Sequence, residues 1–308
     1  MATRFYFHPV CIEHEPAPGH PESPDRLRTI AEVLAGAEFD ALERHTPSEA
    51  TRDHLLLMHP AAHVDRVFGL IPEDGYARVD ADTIVSPKSD AAALRAAGAM
   101  IEAVDAVMTG TAENAFCAMR PPGHHAEPSQ AMGFCLFNSV AIGAEHARRA
   151  HGARRVAVMD FDVHHGNGTQ AMFWNEPDLF YASTHQWPLY PGTGDRGETG
   201  AHGNIVNAPL TIGADSDAFR AAMRDVVLPA IADFAPDLVM ISAGFDAHRR
   251  DPLAQLSLET EDFAWATDEL RTLAEKACDG RLVSTLEGGY DLTALGESAA
   301  AHVRVLMG

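Results

Sequence analysis

The sequence predicts a single-domain α/β fold spanning residues 1–308, with a central parallel β-sheet and helices on both faces. Three observations predict it. Short apolar runs recur along the chain, several of them nearly continuous, as strands covered on both faces require. Longer amphipathic stretches separate these runs, and strand–helix alternation on this scale builds a parallel sheet. Finally, four of the runs end in polar, reactive residues, and ligands in such sheets collect beyond the carboxyl ends of the strands.

In chain order, the predicted strands are Phe5–His8, Ala115–Met119, Val156–Asp160, Leu179–Ser183, Leu238–Ser242 and Leu282–Leu286. Leu94, Ile101, Val104 and Met108 mark one helix at helical spacing; Phe219, Met223, Val226, Ala230 and Phe234 mark another. The second opens on Asp215-Ser216-Asp217, a cap sequence. Both stripes are expected to be core. No repeat or linker interrupts the pattern.

Hydrophobic residues make up 46% of the chain, enough for a large buried sheet. The net charge of −21 argues against nucleic acid or an anionic membrane as a partner. It suits a cationic substrate such as a lysine-rich tail or a polyamine, although solubility alone also explains it. Cys11, Cys117, Cys135 and Cys278 have no paired spacing, so reduced thiols and a cytoplasmic setting are expected. The amino terminus enters strand-like sequence without a basic-then-apolar leader, and no apolar run is long enough to span a membrane.

The densest chemistry lies in Asp160-Phe161-Asp162-Val163-His164-His165-Gly166-Asn167-Gly168. Alternation places Asp160, Asp162 and His164 on one side where the strand runs out. Two carboxylates and an imidazole suit a divalent cation, foremost zinc; turn formers at a strand end are the ordinary alternative. Asp162, His164 and Asp246 would supply three protein ligands and leave one position open, which marks a catalytic rather than a structural zinc.

Other strand ends add to this. His124 and His125 follow a Pro-Pro-Gly turn and suit acid–base work. Asp160 as a partner favours a charged His124, whereas Asn167 leaves His125 closer to neutral and a better base. Tyr290, after Gly288 and Gly289, either donates to an oxyanion or simply packs. Phe134, after Gly133, and Tyr190 either line an apolar passage to the metal or pack at the surface.

Six segments together resemble the zinc-dependent histone deacetylase family, in particular its class II and bacterial deacetylase-like amidohydrolase branch. They are Pro122–Ala126, Gly133–Cys135, Asp160–Gly168, Tyr190–Gly194, Ser242–Asp246 and Glu287–Tyr290, with Gly19-His20-Pro21-Glu22 and Arg26 upstream. The resemblance implies the arginase-deacetylase fold and hydrolysis of an acylated amine. By it, one zinc per chain sits on Asp162, His164 and Asp246, and Tyr290 is the electrophilic tyrosine. Phe134, Tyr190, Gly133, Gly289 and Leu253 would line the substrate passage. The resemblance also implies a structural potassium on Asp160, Ser183 and the backbones of Asp162, His164 and Thr184. An outer monovalent site would fall near Phe173, Glu176, Leu179 and Asn204.

The expected substrate is an acylated lysine in a peptide or protein, or a small acylated amine. Leu253 stands where acetylpolyamine-specific relatives can carry an acidic gatekeeper, which points away from polyamines. A two-manganese ureohydrolase is the main enzymatic rival, but Gly166 stands where its second aspartate would fall. A non-catalytic acyl binder is the other, and the filled chemical positions count against it.

Overall fold

A computed structural model describes residues 2–308. Ten strands form in chain order: β1 (Thr3–Tyr6), β2 (Glu43–His45), β3 (Ala77–Arg78), β4 (Ile84–Val85), β5 (Asn114–Cys117), β6 (Val156–Asp160), β7 (Leu179–Gln186), β8 (Ile205–Leu210), β9 (Leu238–Ala243) and β10 (Leu282–Leu286). Eight of them make one sheet in the order β2-β1-β5-β10-β9-β6-β7-β8. Every pairing in it is parallel. β3 and β4 form a separate antiparallel pair.

Burial explains why these segments are strands. Every residue of β5, β6, β7, β9 and β10 is buried, so both faces of the central sheet are covered. One cover contains Ser89–Met108 packed on Ser139–His151; another contains Thr260–Cys278, Leu292–Met307 and Pro24–Val33. Gly143 lets the Ser139–His151 helix approach the sheet, since a Cβ there would lie 3.0 Å from the Met240 methyl.

The predicted strands all form, with ends shifted by up to three residues. β1 and β5 begin and end earlier than expected, and β7 continues through His185 and Gln186. Edge strands β2 and β8 escaped the reading: Glu43–His45 is short and polar, and β8 carries Pro209, which an edge tolerates.

One helix departs instructively from its predicted stripe. Asp215 caps it as expected, accepting from the Ala218 amide at 3.2 Å. A π-helical turn over Met223–Val227 then inserts an extra residue per turn. The apolar face is rephased, so Val227 and Ile231 are buried while Val226 is 39% exposed. In Ser89–Met108, Ile101 and Val104 are core, whereas Leu94 and Met108 lie at its margin.

Candidate active site

β5, β10, β9 and β6 are neighbours, so the segments that follow them converge at one end of the sheet. β6 ends at Asp160, and Asp162 and His164 lie in the bend beyond it. Hydrogen bonds take over there from the sheet. The His164 amide donates to Asp162 Oδ1 at 2.9 Å, the Val163 amide to Asp246 Oδ1 at 2.8 Å, and the Gly288 amide to Asp162 Oδ2 at 2.7 Å. His164 Nδ1 stands 3.1 Å from both Asp162 Oδ1 and Asp246 Oδ2. The three donor atoms lie within 4.8 Å of one another. Asp160 does not join them, contrary to simple alternation, because its carboxylate turns to His124.

The donors fit a divalent cation on physical grounds. Burial, then the facing Asp162, pushes Asp246 up to about 7. Burial opposes charge on His164, yet Asp162 and Asp246 lift it to about 10. A divalent cation held there would take the place of that proton and balance both carboxylates. The glycines permit the crowding: a Cβ on Gly244 would lie 2.0 Å from Asp162 Oδ2, and one on Gly288 2.2 Å from Asp246 Oδ2. Gly166, where a second bridging aspartate would be needed for two metals, has no room for one. Its Cβ would lie 2.3 Å from Asp160 Oδ2 and 2.6 Å from the Tyr181 hydroxyl.

The two histidines pair as expected. His124 Nδ1 lies 2.9 Å from Asp160 Oδ2, and His125 Nδ1 lies 2.8 Å from Asn167 Oδ1. Burial disfavours charge on both, and their partners then divide them. Asp160, Asp162 and Glu287 hold His124 well above the usual histidine range. His125 has a neutral partner, and burial, reinforced by His124 and His164, keeps it well below. The two imidazoles, with ring centres 4.0 Å apart, are thus pushed in opposite directions, His124 toward the charged form and His125 toward the neutral one.

Tyr290 follows the Gly288-Gly289 turn, where Gly289 takes φ +122°. Arg26 holds this turn from within, donating from Nε to the Gly289 carbonyl at 2.6 Å and also to the Glu287 carbonyl. Its guanidinium carbon lies 4.9 Å from the Tyr290 ring centre. Burial raises the Tyr290 hydroxyl well above its usual range, with Arg26 opposing, so the phenol stays protonated and can donate. Glu22 neutralises Arg26 at 3.0 Å and binds Arg120 through both carboxylate oxygens, and all three side chains are buried.

Other contributors were not legible beforehand. Buried Asp251 accepts from the Tyr290 amide at 2.7 Å and from the Leu253 amide at 3.0 Å. Glu287 accepts from the amides of Gly123 and His124 at 2.7 and 3.2 Å. It thus ties the histidine loop to the tyrosine loop. Both are acids next to motifs of obvious interest, but only the tertiary fold shows which amides they meet.

The expected substrate-lining aromatics flank the cluster. Tyr190, 38% exposed, has its ring 5.2 Å from that of His125. The Phe134 ring lies 6.0 Å from that of Tyr290. Gly133 and Phe134 both take left-handed φ values, 56° and 69°. Gly133 must be glycine, since a Cβ would strike the His125 ring at 2.5 Å. Leu253 is half-buried, and its amide shares Asp251 with that of Tyr290.

Of the residues expected for an inner monovalent cation, Asp160 and Ser183 are register partners across β6 and β7. The Thr184 hydroxyl is buried and has no hydrogen-bond partner among the described residues. At the outer position, the carbonyls of Phe173, Glu176 and Leu179 converge on Asn204 Nδ2 at 2.8, 3.1 and 2.8 Å.

The sequence profile of the histone deacetylase domain matches residues 20–306. Over 310 residues the chain is 39% identical to a histone deacetylase-like amidohydrolase of Pseudomonas aeruginosa, covering 94% of this chain and 81% of that protein. It is 37% identical to chloroplastic histone deacetylase 14 of Arabidopsis thaliana, over 94% of this chain and 73% of the relative. The crystal structure of the HDA15 HD domain matches with a TM-score of 0.94 at 38% identity, covering 99% of this chain and 88% of that one. Fold and relatives together define a hydrolase of amide bonds on the arginase-deacetylase fold. The chain belongs to the histone deacetylase family.

Proposed function

We propose that residues 1–308 act as one zinc-dependent deacylase domain, removing acetyl or related acyl groups from acylated lysine or a similar amine. The observation that carries this reading is the juxtaposition of an Asp162–His164–Asp246 donor set with His124 paired to Asp160 and His125 paired to Asn167. The donor set contains two carboxylates and one imidazole, which favours a single zinc over a bridged manganese pair.

When bound, the zinc supplies a Lewis acid that acidifies water and polarises the amide carbonyl. His125, kept neutral by burial and by Asn167, accepts the proton of the attacking water. His124 remains protonated against Asp160, stabilises negative charge and has a proton to give the departing amine. Tyr290 donates its hydroxyl hydrogen to the oxygen where charge develops, a contact worth about 3 kcal/mol in comparable sites. Phe134 and Tyr190 hold the acyl-bearing chain and restrict water.

An acyl-lysine side chain or small acylamine suits a site flanked by Phe134 and Tyr190, and Leu253 brings no carboxylate at its own position. Nucleic acid and membrane are not proposed partners, given the net charge of −21. Among the described residues, no helix is long and apolar enough to cross a membrane. Four buried free cysteines suit a reducing, cytoplasmic setting. A structural potassium on Asp160, Ser183 and Thr184 is part of the proposal.

The test is turnover across acetyl-lysine, longer acyl-lysine and acetylpolyamine substrates, with and without chelator. Chelator-sensitive cleavage of acyl-lysine supports the reading. Metal and ligand binding without turnover on any substrate would make the protein a binder instead.

A further inference from the structure

We propose that Asp105, His146 and His151 form a second divalent transition-metal site, at the end of the sheet opposite the catalytic loops. Asp105 lies in the last turn of Ser89–Met108, and His146 and His151 in the final turns of Ser139–His151. These helices pack side by side, and they end just before Asn114 and Val156 open β5 and β6. The cluster therefore sits at the amino-terminal edge of the sheet, whereas Asp162, His164 and Asp246 lie beyond its carboxyl edge.

The geometry is convergent. His146 Nε2 and His151 Nε2 each stand 2.7 Å from the same oxygen, Asp105 Oδ1. One donor atom from each residue lies within 4.8 Å of the others. Two imidazoles and one carboxylate select borderline cations such as zinc, nickel or copper over calcium or magnesium.

Electrostatics points the same way. A carboxylate in the last turn of a helix meets the partial negative charge of the carbonyl end, and that turn contains no basic residue. The carbonyl end of the neighbouring helix converges on the same point; Arg148 and Arg149 of its last turn are each paired with Glu145 at 2.7 Å, so the two helix ends and the carboxylate favour a cation there. Access is open. The Asp105 side chain is 48% exposed against 12% and 17% for the histidines. A cleft of about 510 Å³ bordered by Asp105, His151, Glu102, His45 and Arg4, the last paired with Glu43 at 3.3 Å, leaves room for water ligands.

Binding requires only local change. The imidazole protons now shared with Asp105 move from Nε2 to Nδ1. The donor–donor spacing opens to about 3.3 Å, as tetrahedral ligands near 2.0–2.1 Å demand. His54 has its ring centre 5.6 Å from that of His146, but its Nδ1 accepts the Thr51 amide at 3.2 Å. Its proton therefore stays on Nε2, and it borders the site without ligating. A bound ion ties the two helices together far from the catalytic residues.

The test is zinc titration of chelator-treated full-length protein, followed by calorimetry and elemental analysis. Wild type is expected to take up two zinc per chain, and His151→Asn and Asp105→Asn one each, with deacylase kcat/KM unchanged. Zinc should raise the Tm of wild type more than that of either variant. Asp246→Asn, which disrupts the catalytic set, should still bind one zinc, lost on adding His151→Asn. Identical titrations for wild type, His151→Asn and Asp105→Asn would overturn the proposal and reduce the cluster to hydrogen bonds. That result would leave the catalytic reading intact, because the Asp246→Asn arm reports on it separately.

Discussion

Asp251→Ala tests whether the tyrosine loop is held for catalysis or only for stability. The Asp251 carboxylate takes the Tyr290 amide at 2.7 Å and the Leu253 amide at 3.0 Å, with a weaker contact to the Asp291 amide at 3.4 Å. Truncation removes two good charge-assisted hydrogen bonds and strands partly buried donors, a loss of about 3 kcal/mol. For 308 residues the unfolding entropy is about 0.65 kcal/mol/K, so Tm should fall by about 5 °C. Activity should suffer more specifically. With its amide released, Tyr290 keeps the Arg26 bond to the preceding turn and the ring contacts with Arg26 and Phe134, and its hydroxyl no longer meets the developing oxyanion in one geometry. At 25 °C, well below Tm, kcat should fall by roughly 10- to 100-fold with little change in KM, the pattern of an interaction made only in the transition state. Asp251→Asn retains one acceptor oxygen and should recover part of the loss. A Tm drop of this size with kcat unchanged would refute the reasoning and leave Asp251 a purely structural residue.

Four further outcomes follow from the same site. Tyr290→Phe keeps the ring beneath Arg26, so zinc content and Tm should hold, while kcat drops by about 10²–10³-fold; near-normal turnover would remove Tyr290 from the chemistry. The kcat/KM–pH profile should be a broad bell. Its acid limb, from depressed His125, falls below pH ~6.5, and its alkaline limb, from raised His124, lies well above it. Asn167→Asp gives His125 an anionic partner and should move the acid limb up by about 1–3 units, measured also with Glu127→Gln because Glu127 lies 2.8 Å from Asn167 Nδ2. Glu22→Gln leaves Arg26 and Arg120 as uncompensated buried charges and should cost about 3–5 kcal/mol in urea unfolding.

Much of this was legible because the sheet is parallel and buried. A strand such as Val156–Asp160 announces itself through the unbroken apolar run Val156–Met159, and the candidate site residues follow immediately in sequence. The histidine pairings were readable too, since Asp160 and Asn167 belong to the same dense segment. What stayed hidden depends on long-range geometry. Arg120 and Glu22 are 98 residues apart, and neither shows in sequence that it is buried against the other. The π-helical turn at Met223–Val227 has no compositional mark, so the stripe through Val226 was misphased. Asp160, Asp162 and His164 were expected to point together, but a strand's alternation stops where its hydrogen bonds stop. The Asp105 cluster is drawn from two helices, with His146 and His151 at a spacing that advertises no metal motif.

Metal content of active protein tests the central claim most directly. In the His151→Asn background, which isolates the catalytic donors, elemental analysis alongside turnover should find one zinc per chain. Chelation should abolish activity, and one equivalent of zinc should restore it. Full activity without metal, or restoration only by two manganese ions per chain, would contradict the account.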